Sequence, residues 1–118
     1  MLQEDIYIER CREACRDILT LCIDVPVYSL IVYGSLARGT LGMSSDIDIM
    51  VVLDADGKQV PQYREQFARK CPAYFLEDKP YVDVRFCRRA AYENPDDSEF
   101  GVFMQNCKKD GVCVWSRI

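Results

Sequence analysis

The chain has 118 residues, 49% of them apolar and 29% charged, a composition typical of one globular domain spanning residues 1–118. Fifteen basic and nineteen acidic residues leave a net charge of −4, which disfavours binding to nucleic acid through its phosphates. The chain contains no histidine, which excludes serine–histidine triads, cysteine–histidine dyads and histidine-ligated zinc.

Apolar residues recur at helical spacing in some segments, and runs of strand-forming residues alternate with these segments. In chain order, the predicted elements are a helix over 4–23, a strand over 27–33, a short helix capped by Ser35, a strand over 47–53, a turn at 54–57, a helix over 60–71, a brief strand over 73–76, a strand over 81–87, a polar loop at 94–97, a helix over 98–109 and a strand over 112–115. This alternation predicts a small α/β or α+β domain with a mixed β-sheet flanked by helices.

The N-terminus is acidic, with Glu4 and Asp5 where a secretory signal peptide would be basic. The longest purely apolar run, 49–53, is far too short to span a membrane. We therefore expect a cytoplasmic protein without a membrane partner.

The seven cysteines follow no Cys-x-x-Cys spacing, and most lie within apolar patterns. Cys11, Cys15 and Cys22 share a stripe with Ile18 on the first predicted helix. The favoured interpretation is that the cysteines are small core residues in a reducing compartment. A disulfide framework or a thiolate zinc site is the alternative.

A glycine and a serine lie where the first strand passes into a predicted helix. Gly34 allows the backbone to approach a phosphate closely, and a helix that begins at Ser35 turns free N–H groups toward an anion. Arg38, one turn further along, can add a guanidinium to the same anion. Taken alone, the Gly-Ser pair is a weak signal, because an ordinary strand-to-helix turn has the same pattern.

Two aspartates lie at alternate positions where the second strand begins. Because side chains at i and i+2 of a strand face the same way, Asp46 and Asp48 share one face, while Ile47 and Ile49 point to the opposite, buried face. Two carboxylates held this close repel each other unless a cation lies between them. Magnesium is the natural candidate, since it takes hard oxygen ligands and leaves room for phosphates. The alternative is a solvent-facing pair of acids on an amphipathic strand.

A third acid, Asp83, lies in a run of alternating apolar and polar residues at 82–86. If this strand pairs beside 47–53, Asp83 joins the first two aspartates on one face. Three carboxylates from neighbouring strands can hold one metal ion or two, and Asp83 can also deprotonate an attacking hydroxyl. The alternative is an exposed acid paired with Arg85 or Lys79.

Gly34-Ser35, ten further residues and then Asp46-Ile47-Asp48 form a pattern that resembles the signature of the DNA polymerase β-like nucleotidyltransferase superfamily. The length is similar to that of the minimal nucleotidyltransferases of bacteria and archaea, a group that includes the MntA-type antitoxins. The resemblance implies the small nucleotidyltransferase fold and transfer of a nucleoside monophosphate, usually AMP from ATP, with release of pyrophosphate.

The same resemblance implies a role for each residue of the pattern. The implied nucleotide-binding residues are Gly34, Ser35, Arg38 and Ser45. The implied catalytic residues, which would also ligate magnesium, are Asp46, Asp48 and Asp83. The last of these matches the third acid of the family and would also activate the acceptor hydroxyl.

Many minimal members of this family are encoded beside a small helical HEPN-domain protein, and some act as antitoxins that adenylylate it. The resemblance therefore implies a HEPN-type protein partner whose hydroxyl accepts AMP. Two other functions stay open. The chain can be an inactive module that neutralises a partner by contact alone, or an adenylyltransferase for a small molecule such as an aminoglycoside.

Overall fold

A computed structural model of the chain describes residues 3–21, 24–33, 47–70, 82–95 and 99–117. Within these residues, four strands form one mixed sheet and four helices accompany it. In chain order, the elements are α1 (Gln3–Leu21), β1 (Val27–Tyr33), β2 (Ile47–Leu53), α2 (Val60–Lys70), β3 (Val82–Arg88), α3 (Arg89–Glu93), α4 (Glu99–Asp110) and β4 (Val112–Ser116).

The four strands lie in the order β3-β2-β1-β4. Strand β1 is antiparallel to both β2 and β4, and β2 is parallel to β3. The predicted class, a mixed sheet flanked by helices, is thus confirmed. Strands 27–33 and 47–53 have the predicted bounds, since each is a run of strand-forming residues.

One helix of the structure, α3, was not predicted from the sequence. Helix α3 follows β3 directly and has only five residues, too few to establish a helical period. An ion pair between Arg89 Nε and Glu93 Oε1, 2.8 Å long, joins its first and last residues. The predicted short helix at Ser35 and the brief strand at 73–76 lie outside the described residues.

The first face of the sheet carries the larger core. Helix α1 contributes Cys11, Ala14 and Ile18 to it, and α2 contributes Phe67, which is fully buried. The sheet residues of this core, all buried, are Val27, Leu30, Val32, Ile47, Ile49, Val51, Leu53 and Val84. Each such aliphatic side chain contributes roughly 1.5–3 kcal/mol by leaving water, so this core holds α1 and α2 on the sheet.

The second face of the sheet is covered by α4. Met104 and Cys107 of this helix pack against Ile31, Met50 and Val52 of the two central strands. Strand β2 is therefore buried on both faces along most of its length, and Met50 and Val52, which share the face of Asp48, are both buried. Asp48 itself is half-buried, so its side chain stays partly in contact with water.

The described cysteines form no disulfide bond with one another. Cys11, Cys87 and Cys107 are buried, as the core interpretation predicts, and Cys15 is half-buried. Cys113 is exposed on the edge strand β4, so the core interpretation is wrong for that residue, while Cys22 and Cys71 lie outside the described residues. None of the helices in the described segments has both the length and the apolar composition needed to cross a membrane.

Candidate active site

Two of the predicted site residues meet at one end of the sheet. Asp48 is the second residue of β2, Asp83 is the second residue of β3, and the parallel pairing places them in register with each other. Since neighbouring strands lie about 4.8 Å apart and paired residues face the same side, both carboxylates project from the second face. Tyr33, the last residue of β1, pairs with Asp48 from the other side.

A cleft of about 330 Å³ lies between this end of the sheet and α4. The described residues that line it are Tyr33, Asp48, Arg85, Phe103, Asn106, Cys107 and Asp110. Helix α4 supplies four of these at spacings of three and four, which places them on one side of the helix. Asn106 and Asp110 had no predicted role, because nothing in their spacing shows that this side faces the aspartates.

Asp83 forms a hydrogen-bonded ion pair with Arg85, two residues further along β3. Arg85 Nε donates to Asp83 Oδ2 at 3.1 Å, and this contact raises the pKa of the guanidinium. The Arg85 side chain is 55% exposed and that of Asp83 is 44% exposed, so the pair is in contact with water. The structure therefore contains the ion pair given above as the alternative for Asp83, and the same Asp83 also lies beside Asp48.

The hydroxyl of Tyr33 is buried and has no hydrogen-bond partner among the described residues. Burial raises its pKa, and the charges of Asp48 and Asp83 act in the same direction, while that of Arg85 opposes them. The ring meets Phe103 edge-on, with centroids 5.9 Å apart. Tyr33 was given no role in the sequence, because its position against Asp48 depends on strand register, which a single sequence does not reveal.

Cys107 completes the floor of the cleft on the α4 side. Burial and the charge of Asp48 raise the pKa of its thiol to about 11. Because a nucleophilic cysteine needs a lowered pKa, this thiol is a packing residue and not a reactive one.

Asp48 and Asp83 supply the hard oxygen donors that magnesium prefers, on adjacent strands and on one face, so these two residues fit a divalent cation. Within the described segments, no group of three histidine, cysteine or acidic residues forms a complete metal cluster. The third predicted ligand, Asp46, lies outside the described residues. So do Gly34, Ser35, Arg38 and Ser45, and the roles of all the predicted site residues stay predictions.

The fold and the paired acids define an α/β domain with an acidic site at one end of a mixed sheet. A sequence model of the nucleotidyltransferase domain matches residues 8–101, which is most of the chain. The chain therefore belongs to the nucleotidyltransferase domain family, and the resemblance drawn from the Gly-Ser and Asp-x-Asp pattern is confirmed.

The chain is similar to solved structures at low sequence identity, and the first of them shares its fold. A crystal structure from Sulfolobus solfataricus, described as a nucleotidyltransferase, has a TM-score of 0.66 and 21% identity, over 99% of this chain and 91% of that chain. A toxin–antitoxin structure with AMP-PNP has a TM-score of 0.46 and 21% identity, over 86% of this chain and 72% of that one. A mutant MntA–HpeT toxin–antitoxin has a TM-score of 0.45 and 18% identity, over the same shares. No curated protein sequence matches the chain.

Proposed function

We propose that this chain is a magnesium-dependent nucleotidyltransferase that moves AMP from ATP to a hydroxyl acceptor. The main support is the position of Asp48 and Asp83, which lie in register on one face of the sheet in a chain of the nucleotidyltransferase domain family. Arg85 offsets only part of the charge of these two carboxylates, and their oxygens are ligands that magnesium prefers, so a metal–nucleotide complex is the ligand that suits them.

In this proposal the nucleotide is held at the end of β1. The backbone N–H groups at Gly34 and Ser35 and the hydroxyl of Ser35 bind the triphosphate, and Arg38 and Ser45 add polar contacts. Magnesium, ligated by the three predicted aspartates, would neutralise the negative charge that moves onto the pyrophosphate during the transfer. The remaining contribution of the chain is to position the two reactants.

The transfer is a substitution at the α-phosphorus of ATP. The acceptor oxygen forms a bond to this phosphorus, and the bond between the phosphorus and the oxygen that bridges it to the β-phosphate breaks. Pyrophosphate leaves with the electron pair of the broken bond. Asp83 takes the proton of the acceptor hydroxyl, which requires Asp83 to be released from Arg85.

We further propose that the acceptor hydroxyl belongs to a small helical protein of the HEPN type, on which this chain acts as an antitoxin in the cytoplasm. The cleft, at about 330 Å³, is at the small end of the range for pockets that enclose a small molecule. The net charge of −4 also makes a nucleic-acid acceptor unfavourable. The chain length, which is similar to that of the minimal nucleotidyltransferases, a group that includes the MntA-type antitoxins, supports the protein acceptor.

The test is mass spectrometry of the chain mixed with magnesium, ATP and any protein that copurifies with it. The expected result is a mass gain of one or more AMP units on the copurified protein, absent with the Asp46→Asn/Asp48→Asn double variant. The matched control is Asp54→Asn, since Asp54 is an exposed acid just past the other end of β2 and should leave the transfer unchanged.

Other outcomes identify the alternatives. Nucleotide binding without a mass gain on protein would favour a small-molecule acceptor. A third outcome would contradict the enzymatic function and favour an antitoxin that acts by contact alone. In that outcome the chain binds no nucleotide, and the double variant neutralises the copurified protein as well as the unaltered chain does.

A further inference from the structure

Arg85 lies among the acids of the candidate site. Of the described residues that line the cleft, it is the only basic one, while Asp48 and Asp110 are acidic. The charges of Asp48 and Asp83 both stabilise the guanidinium, and the hydrogen bond from Nε to Asp83 Oδ2 is 3.1 Å long. Arg85 therefore already occupies the carboxylate that the proposed function assigns to the metal.

The guanidinium has a second contact that does not depend on Asp83. Its central carbon lies 5.3 Å from the centre of the Phe103 ring, which belongs to α4 on the other side of the cleft. A cation over an aromatic face is attracted to it even without a carboxylate partner. Because the Arg85 side chain is 55% exposed, its head group can leave Asp83 without unpacking the core.

We propose that Arg85 holds Asp83 in the metal-free protein and exchanges this carboxylate for the phosphates of the nucleotide when the metal–nucleotide complex binds. The inference rests on the proposed function, which makes Asp83 a metal ligand. A metal ion and a guanidinium compete for Asp83 because both are positive. The released guanidinium then needs a new anion, and its planar fork matches phosphate oxygens.

Such an exchange couples metal binding to nucleotide binding. Metal alone must displace Arg85 from Asp83 and leaves the guanidinium without an anion, so the affinity for metal alone is lowered. Metal that arrives with a polyphosphate supplies the replacement anion, so the affinity for the complex is raised. Coupling of this kind is reciprocal, since each ligand changes the affinity for the other by the same factor. Arg85 is thus a positioning residue that favours the productive pair of ligands over either one.

The test measures two dissociation constants in the unaltered chain and in Arg85→Gln. The first is for Mn²⁺ alone, from the spin-resonance signal of the free ion. The second is for Mn²⁺ with an ATP analogue that carries a methylene group between the α- and β-phosphorus, from titration calorimetry. We expect Arg85→Gln to bind Mn²⁺ alone about two- to fivefold more tightly, in line with an exposed ion pair. We expect it to bind the complex roughly tenfold more weakly, in line with a lost charged hydrogen bond.

Arg89→Gln is the matched control. Arg89 also pairs with an acid, Glu93 at 2.8 Å, and its guanidinium lies 4.0 Å from the ring centre of Tyr28, but it does not line this cleft. Both constants should be unchanged in that variant. Arg85→Lys keeps the charge without the fork, and should weaken binding of the complex while leaving binding of Mn²⁺ alone near that of the unaltered chain.

The inference is overturned if the two constants of Arg85→Gln fail to move in opposite directions while the unaltered chain binds both ligands. If the unaltered chain binds neither Mn²⁺ nor the complex, the proposed function itself is wrong. Thermal melting of each variant establishes that it is folded before the constants are compared.

Discussion

Tyr33 and Asp48 form a cross-strand pair at the mouth of the cleft, and their polar groups differ in how far they are exposed to water. The hydroxyl of Tyr33 is buried without a partner among the described residues, while Asp48 is half-buried beside the proposed metal position. A buried hydroxyl that makes no hydrogen bond costs about 1–3 kcal/mol of stability. The unbonded hydroxyl of Tyr33 therefore lowers the free energy of unfolding of the protein.

This cost leads to a prediction for Tyr33→Phe. The substitution keeps the ring against Phe103 and removes only the unbonded hydroxyl, so the free energy of unfolding should rise by about 1 kcal/mol. Urea unfolding measures it, with Tyr63→Phe as the control on a half-buried ring of α2 that should change little. A loss of stability in Tyr33→Phe would mean that the hydroxyl does have a partner.

Two buried thiols, those of Cys87 and Cys107, are expected to make the free energy of unfolding fall as the pH becomes alkaline. Burial raises the pKa of Cys87 to about 12, and burial with the charge of Asp48 raises that of Cys107 to about 11, from an ordinary value of 9.0. The unfolded chain therefore loses these protons at lower pH than the folded protein does. The stabilisation is fully present below about pH 9 and is lost as pH rises toward the folded values.

We therefore predict that the free energy of unfolding falls between about pH 9 and pH 10, with up to about 2 kcal/mol of the fall due to these two thiols. The Cys87→Ala/Cys107→Ala variant starts from a lower stability, because it leaves cavities, but should lose less over the same interval. Cys113→Ala, at an exposed thiol, should keep the slope of the unaltered chain. Equal slopes in all three proteins would contradict the account.

Among the elements, α4 and β4 are joined by a turn with no space for a side chain. A Cβ atom on Gly111 would lie 2.4 Å from the carbonyl oxygen of Cys107 and 2.5 Å from Cγ2 of Ile31. The N–H of Gly111 donates to the same carbonyl at 2.8 Å, which ends the helix against the sheet. This close approach fixes where the last turn of α4, with Cys107 and Asp110, meets the cleft.

Gly111→Ala should therefore lower the free energy of unfolding by about 1–3 kcal/mol, as expected for overpacking against backbone. Gly57→Ala is the comparison, since a Cβ there would meet only the flexible side chain of Arg88 at 3.6 Å. That variant should be neutral or more stable by up to about 1 kcal/mol, because the unfolded chain loses freedom. Chemical denaturation of both variants measures the difference, and equal effects would mean that the turn adjusts freely.

Element positions were largely predictable from the sequence, whereas their relative placement was not. Strands β1 and β2 are dense runs of strand-forming residues, so their bounds follow from composition. The Asp-x-Asp spacing and the Gly-Ser pair indicated the family. The positions of Tyr33, Asn106 and Asp110 in the cleft could not be predicted, because they depend on strand register and on which side of α4 faces the sheet.

At the scale of the whole molecule, we propose that an acidic end of the sheet binds an acidic ligand through a metal ion. Both faces of the sheet are covered by helices, and the open region beside the aspartates is the cleft under α4. The chain carries a net charge of −4, and Asp48, Asp83 and Asp110 add local negative charge. Arg85 offsets the charge of Asp83, and we expect a further cation, the metal ion, to be needed before this region attracts a triphosphate.

The most direct measurement is calorimetric titration of the methylene ATP analogue into the unaltered chain, Asp48→Asn and Asp54→Asn, first with Mg²⁺ and then with a chelator. We expect Asp48→Asn to weaken binding roughly tenfold or more with Mg²⁺, because a metal ligand is lost. With the chelator, the same variant should bind as well as or better than the unaltered chain, because a repulsive charge is gone. Asp54→Asn should match the unaltered chain in both conditions. Equal affinity of Asp48→Asn and the unaltered chain in the presence of Mg²⁺ would contradict the account.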